Sequence, residues 1–264
     1  MRTLLICHDD APLDREGLVR WLASFSTVAG TVVIREAATR RRRRVVREIK
    51  RVGIGRFLDV LAFRFHYALT TARADREWEQ RELERLRALF PAQPDAPEIV
   101  VDSPNATAAE QFIRDCRPDL VIARCKTILK EQVFSIPTHG TFVMHPGICP
   151  EYRNAHGCFW AMASGDAANI GMTLLRIDRG VDTGPVYGYF RVTPDPSESH
   201  IVTQHRSVLD HLDGIREMLT AVVSGTAIPL ETRGRRSATW GQPWLTAYLR
   251  MRLRARAERP ALQS

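Results

Sequence analysis

Short, unbroken apolar runs that end in polar turns constrain this chain more than any other feature. Thr3 to Cys7 stops at His8-Asp9-Asp10-Ala11-Pro12, Leu120-Val121-Ile122-Ala123 follows Pro118-Asp119, and Thr141 to Met144 delivers His145-Pro146-Gly147. Runs of this length without polar alternation are the pattern of strands buried on both faces of a parallel sheet. Between the first run and a second strand at Thr31 to Arg35, the apolar positions Leu18, Trp21, Leu22 and Phe25 follow helical spacing, with Asp14 as the expected cap. Strand, helix and strand in that order predict a right-handed βαβ unit. The first turn lacks Gly-x-Gly-x-x-Gly, which argues against a nicotinamide dehydrogenase built on the usual dinucleotide cradle.

Further along, Glu98 to Val101 reads as a strand, Thr107 to Cys116 as a helix capped by Asn105, and Leu129 to Phe134 as a short helical segment. Gly157 to Ser164 reads as a helix closed by Gly165. Ile170 to Ile177 and Val186 to Val192 read as an antiparallel hairpin around an Asp182 turn, which makes the sheet mixed. Ser197 to Val223 is helical in pattern and carries His200, His205 and His211. Their spacing suits no metal site on one helix face, so they read as surface or packing histidines.

The stretch from about 40 to 90 is long, charged and helical, with Gly53 and Gly55 expected to divide it into two helices. It opens on Arg40-Arg41-Arg42-Arg43-Arg44 and continues through Phe57, Leu58, Val60, Leu61, Phe63 and Phe65. Arginines interleaved with aromatics suit nucleic acid or anionic lipid. The preferred reading is plainer: a solvated charged face beside an apolar face packed on the sheet. The expected organisation is therefore a domain over 1–223 with a helical insertion at about 40–90. A basic helical extension follows over 224–264, carrying Trp240, Trp244 and the arginines from Arg250 onward.

The 264 residues carry a net charge of +8, almost all of it from arginine, since lysine occurs only at Lys50, Lys126 and Lys130. The five cysteines are odd in number and scattered without a Cys-x-x-Cys pair, which argues against a disulfide framework or zinc and for a reducing cytoplasm. Cys149 and Cys158 read as small apolar residues. No apolar run approaches the roughly 20 residues of a membrane span, and the N-terminus reads as a core strand rather than a secretory signal.

Chemistry concentrates between Phe142 and Val186. His145 follows a strand, where open α/β sheets bind ligands, and a helix and a strand bring the chain back to Asp182. A carboxylate beside an imidazole orients it and raises its pKa, which suits proton transfer near neutrality.

His145-Pro146-Gly147-x-x-Pro150-x-Tyr152-Arg153, then Gly165-Asp166, Gly171-Met172-Thr173-Leu174 and Val181-Asp182-Thr183-Gly184-Pro185-Val186, resemble the folate-dependent formyltransferases. These include enzymes acting on methionyl-tRNA, glycinamide ribonucleotide and nucleotide sugars. The close match covers about 118–192. The resemblance implies a Rossmann-like, mixed but mostly parallel sheet with helices on both faces. It also implies formyl-tetrahydrofolate as co-substrate, no metal, His145 as acid/base and Asp182 as its partner. Folate would lie along Ala123, Arg124 and Leu129 and against Gly180, Val181 and Asp182. One departure stands out: the family pattern is Asn-x-His, and Val143 occupies the asparagine position. Residues two apart on a strand share a face, so the missing amide is an oxyanion donor lost from the site. Asn154 and His156 are the replacement donors nearest in sequence, or else a turn and a helix start. Tyr152 and Arg153 either hold a substrate phosphate or shape the loop. The acceptor is expected to be a small-molecule amine, phosphorylated or not, because the tail is short for a tRNA-directed barrel domain. Nucleic acid is not an expected partner, whereas peripheral membrane contact through the basic segments remains open. Two alternatives stay in view: a hydrolase of formyl-tetrahydrofolate, and a non-catalytic binding protein.

Overall fold

The computed structural model describes residues 1–258, except for the side chains of residues 38–44 and 256–258. The Arg40–Arg44 run and the end of the basic tail, Pro260 included, thus lie outside the described side chains or residues. A seven-stranded sheet organises the chain, in the order β3-β2-β1-β4-β5-β7-β8. Its strands are β1 (Arg2–His8), β2 (Thr27–Ile34), β3 (Glu98–Val101), β4 (Leu120–Arg124), β5 (Thr141–His145), β7 (Gly171–Arg176) and β8 (Val186–Arg191). The first five in spatial order are parallel; β5 with β7 and β7 with β8 are antiparallel. The mixed, mostly parallel sheet is the one that the apolar runs and the late hairpin call for.

Leu4, Leu5 and Ile6 on β1 are fully buried, which is why the run shows no alternation. On one face, Leu5 and Ile122 pack with Trp21, Leu22, Leu83, Leu86, Ile215 and Leu219. On the other, Leu4 and Val121 meet Ala109 and Ile113 of α5 (Thr107–Cys116) and Val133 of α6 (Glu131–Phe134). Burying a Val, Leu or Ile side chain is worth about 1.5–3 kcal/mol, so these two layers hold the sheet centre in place. The chain runs from β1 out to β2 and β3, then returns to β4 on the other flank of β1. That reversal opens a crevice at the carboxyl ends of β1, β4 and β5, where His8, Arg124 and His145 stand.

Two expected caps are otherwise employed. Asp14 lies in a π-helical turn, Leu13–Leu18, that leads into α1 (Val19–Ala23), and Pro12 rather than Asp14 occupies the cap position. The Asp14 carboxylate instead accepts from Arg124 Nε at 2.9 Å, with both side chains nearly buried. A buried arginine draws a carboxylate more strongly than a free helix N-terminus does. Asn105 likewise does not cap α5: its side chain donates to Ile128 O at 2.9 Å and accepts from Lys130 N at 2.8 Å, pinning the loop after β4.

The insertion forms three helices rather than two: α2 (Ala38–Val52), α3 (Ile54–Thr70) and α4 (Ala72–Leu89). Gly53, at φ 80°, makes the expected break, and Thr71 makes a second. Only α4 packs as anticipated, with Leu83 and Leu86 in the sheet-side core. Of α3, Val60 and Phe63 are buried while five large apolar residues face outward, so its apolar face is not covered by the sheet. The helical stretch after Ser197 divides into α8 (His200–Leu209) and α9 (Leu212–Val223). The C-terminal segment turns back. β9 (Thr239–Trp240) pairs with β6 (Arg153–Asn154), and α10 (Leu245–Glu258) lies on α3 and α7 (Gly157–Ser164) through Tyr248 and Met251.

Candidate active site

His145 is the last residue of β5 and is 3% exposed. Val143, two residues earlier, shares its face and packs with Cys149, Leu175 and Val186. The turn after His145 is tight because two glycines let three backbone segments cross. A Cβ on Gly147 would lie 2.5 Å from Tyr152 O and 2.9 Å from the Gly157 Cα, and one on Gly157 would lie 2.7 Å from Pro146 O. Thr173 of β7, opposite His145 in register, locks the turn. Its hydroxyl donates to Gly147 O at 2.7 Å and accepts from Cys149 N at 2.9 Å.

His145 Nε2 lies 2.8 Å from Tyr152 O and Nδ1 lies 3.5 Å from Asp182 Oδ2. A carbonyl only accepts, so Nε2 carries a proton. Nδ1 faces a carboxylate and is favoured in its protonated form too. Burial opposes a charge on this ring, but the Cys149 sulfur, the Asp182 carboxylate and the Tyr152 carbonyl outweigh it and lift the pKa from 6.5 to about 9. The same Asp182 oxygen, Oδ2, accepts from the Asn154 N–H at 2.7 Å, while Arg153 Nη1 donates to Val181 O at 3.0 Å. The 178–183 loop is also tied internally, since Asp178 Oδ1 accepts from Gly180 N and from the Thr183 hydroxyl. Four described non-glycine residues have positive φ, and three of them, Asn154, His156 and Asp182, sit here. Left-handed backbone at such residues concentrates at sites that over-determine it.

The other expected site residues divide by geometry. Asn154 and His156 do not replace the missing amide beside His145: Asn154 Nδ2 donates to Trp240 O, and the His156 ring turns toward His200, centroids 5.8 Å apart. Tyr152 and Arg153 both bond to neighbouring loops, and Arg153 Nε is buried without a hydrogen-bond partner. The Tyr152 hydroxyl donates to Asp166 at 2.9 Å and its ring stacks on Trp240, and the Arg153 guanidinium serves Val181. Arg124 spends its guanidinium on Asp14 and, at 2.8 Å, on Met144 O, so it clamps β4 and β5 to the first turn. Ala123 and Leu129 are buried, while Ile128 between Leu129 and Thr127 is 66% exposed. The rim bearing Leu129 and the loop bearing Gly180, Val181 and Asp182 are joined by Arg179 and Glu131 at 2.8 Å. Among the described residues no group of three or more His, Cys, Asp or Glu side chains is placed to hold a metal ion. Thr173 and Trp240 gained no role from sequence. Thr173 lies within a quoted motif, but Trp240 is reached only because β9 pairs with β6.

Next to this site, His156 and His200 are neutral. Burial, joined by the nearby Lys126 charge, takes His156 down to about 4, and burial beside His156 takes His200 to about 3. With Phe63, Arg64, Tyr67 and Gln242 they line a cavity of about 160 Å³, and His156 Nδ1 is buried there without a hydrogen-bond partner. The two kinds of histidine set opposite pH limits on stability. A raised pKa, as at His145, stabilises fully below about pH 6.5, and roughly 3 kcal/mol is lost as pH rises from there through about 9. The lowered values at His156 and His200 mean the unfolded chain takes up protons first, so stability falls as pH drops from 6.5 toward 4 and 3. The melting temperature is therefore expected to peak near pH 6.5, and His200→Phe, which suits the surrounding rings, to flatten the acid limb. An unaltered acid limb in that variant would show that His200 does not set it.

Known proteins are similar to this chain on these elements. A family model described as formyl transferase matches residues 91–225. The methionyl-tRNA formyltransferase of Myxococcus xanthus is 32% identical over 119 residues, 45% of this chain and 38% of that protein. That of Stenotrophomonas maltophilia is 40% identical over 91 residues, 34% and 28% of the two. The chain thus spans well under half the length of these relatives. In structure it resembles a phosphoribosylglycinamide formyltransferase from Anaplasma phagocytophilum, with a TM-score of 0.55, 13% identity and coverage of 92% of this chain and 99% of that one. A sugar N-formyltransferase from a Shewanella species gives 0.53, 14%, 91% and 76%. Identities this low speak for a common fold. The family match is the stronger finding: it takes in just over half of the 264 residues, including the turn that seats His145 and the loop that seats Asp182, and this chain belongs to the formyl transferase family.

Proposed function

We propose that this protein transfers a formyl group from formyl-tetrahydrofolate to the amine of a small-molecule acceptor. The observation that carries the reading is the buried His145 held between Tyr152 O and Asp182 at the carboxyl edge of the sheet. Formyl-tetrahydrofolate supplies the formyl carbon, and its apolar ring body suits the rim of Ile128 and Leu129 joined to the Asp182 loop. His145 is anchored at Nε2, whereas 3.5 Å is too long for a hydrogen bond at Nδ1. The Nδ1 proton is thus uncommitted and available to the oxygen that gains negative charge when the amine attacks. Asp182 keeps the ring oriented while this happens. The tetrahedral adduct then collapses, its bond to the folate nitrogen breaking as that nitrogen takes up the proton given up by the acceptor, and the formamide and tetrahydrofolate leave.

The cavity beside His156 and His200 is the proposed acceptor pocket. Its walls are aromatic rings and neutral imidazoles, and an unpartnered Nδ1 offers one acceptor to a donor group on the substrate. The loop roles of Tyr152 and Arg153 leave Arg64 as the cation on that wall, so an acceptor phosphate would be read there. In this reading residues 1–223 form the catalytic unit, with the insertion at about 40–90 supplying Phe63 and Tyr67, and the 224–264 extension supplies Gln242. The test is tetrahydrofolate release measured with and without a panel of small amines. Release that depends on an amine is expected. Equal release without any amine would replace transfer by hydrolysis, and no release under either condition would remove both enzymatic readings.

A further inference from the structure

The unburied face of α3 has no counterpart in the site chemistry. Ile54, Leu58, Leu61, Phe65 and Leu69 are 71%, 57%, 41%, 68% and 70% exposed. Their spacing of four, three, four and four residues puts them on one side of the helix, opposite Val60 and Phe63, which are buried. Ala62 and Ala68 lie on the same outer side and are exposed as well. A 17-residue helix is about 26 Å long, so this is a continuous apolar ridge rather than scattered surface hydrophobics. Val45 and Val46 of α2 are exposed beside it in sequence, and α10, packed on α3 through Tyr248 and Phe63, exposes Leu249 and Leu253.

Charge lies next to this ridge in the chain. Residues 38–70 contain nine arginines and one lysine against Glu48 and Asp59, so this stretch carries a charge equal to the +8 of the whole chain. Arg47, Lys50 and Arg51 are exposed on α2, and Arg40 to Arg44, whose side chains lie outside the described residues, belong to the same helix. No described helix is long and apolar enough to cross a membrane.

We propose that α2 and α3 dock the protein on an anionic membrane surface, with the α3 ridge sunk among the acyl chains and the α2 cations on the headgroups. Apolar ridge and cationic flank must be satisfied together, and an anionic leaflet offers hydrocarbon and negative charge in one surface. A second copy docked on the same face would bring two segments of charge +8 against each other. A polyanion such as RNA would answer the arginines but leave Phe65 and Leu69 in water. Because Phe63, Arg64 and Tyr67 on the inner side of α3 line the His156 cavity, docking would hold that cavity about one helix diameter, roughly 10 Å, from the leaflet.

Flotation of the full chain with vesicles tests this. Binding is expected to phosphatidylcholine vesicles containing phosphatidylserine. Each engaged cation contributes about fivefold, so with the three described exposed cations of α2 engaged, Arg47, Lys50 and Arg51, vesicles of phosphatidylcholine alone should bind about a hundredfold more weakly, and salt should weaken the first kind of binding. The double variant Leu58→Glu, Phe65→Glu should lose at least about tenfold in affinity for the anionic vesicles. Its melting temperature should not change, since both side chains are exposed. No binding to anionic vesicles, or equal binding by the double variant, overturns the proposal. So does a concentration-dependent dimer, seen by sedimentation without lipid, that the double variant abolishes, because a second copy would then cover the ridge.

Discussion

His145→Ala is expected to lower the turnover of amine-dependent tetrahydrofolate release by about 100- to 10,000-fold, the range spanned by losing a positioned proton-transfer group and its charge. The ring is 3% exposed, its Nε2 is committed to Tyr152 O, and its Nδ1 meets Asp182. Alanine removes the charge and leaves the Asp182 carboxylate facing only the Asn154 N–H. The Michaelis constant for the amine should change little, because His145 lies outside the residues that line the His156 cavity. The loss should appear in kcat, and a rate within a few-fold of the unaltered protein would take His145 out of the mechanism. The same substitution should flatten the fall in stability between about pH 6.5 and 9, since that limb belongs to the raised pKa of this ring. The two readouts are independent: the pH limb tests the electrostatics whether or not the acceptor has been found.

Val143→Asn is the complementary change and should raise the rate. An oxyanion-hole donor is worth about 100- to 1,000-fold, and an amide at position 143 would stand on the His145 face of β5. The valine sits against Cys149, Leu175 and Val186, an apolar wall in which an amide without a partner costs about 1–3 kcal/mol of stability. The expected outcome is therefore a more active and less stable protein, seen as a gain of about 100-fold in kcat and a lower melting temperature. An unchanged kcat would mean that another group already donates to the oxyanion. The side chains nearest in sequence are not in position to do so. Asn154 Nδ2 is taken by Trp240 O and the His156 ring faces His200, which leaves the loosely held Nδ1 proton of His145 itself.

Local pattern sufficed wherever one element's own residues decide its state. The run Leu120 to Ala123 is apolar throughout because both faces of β4 are covered, and that alone announces an interior parallel strand. Gly157 to Ser164 forms the helix its pattern indicates, and Gly165, at φ 72°, closes it. The fates of Asp14 and Asn105 were not legible in that way. Each stands where a helix cap belongs, yet Arg124, 110 residues away from Asp14, and the loop at Ile128 and Lys130 provide stronger partners. Cap preference is a local term of about 1 kcal/mol, and a buried ionic pair or a doubly bonded loop overrides it.

By itself the sequence determined the sheet, the hairpin that returns Asp182 to His145, and the absence of an amide at Val143, because strand burial, turn residues and side-chain identity are local properties. Only the tertiary structure decided which nitrogen of His145 is held and which is loose, that Tyr152 and Arg153 serve the loop, and that the α3 ridge is left uncovered. The physical reason is the same in each case. Hydrogen-bond partners and burial depend on which segments meet, and here they come from residues 152–154, 178–183 and 239–243, which only the folded chain brings to the end of β5.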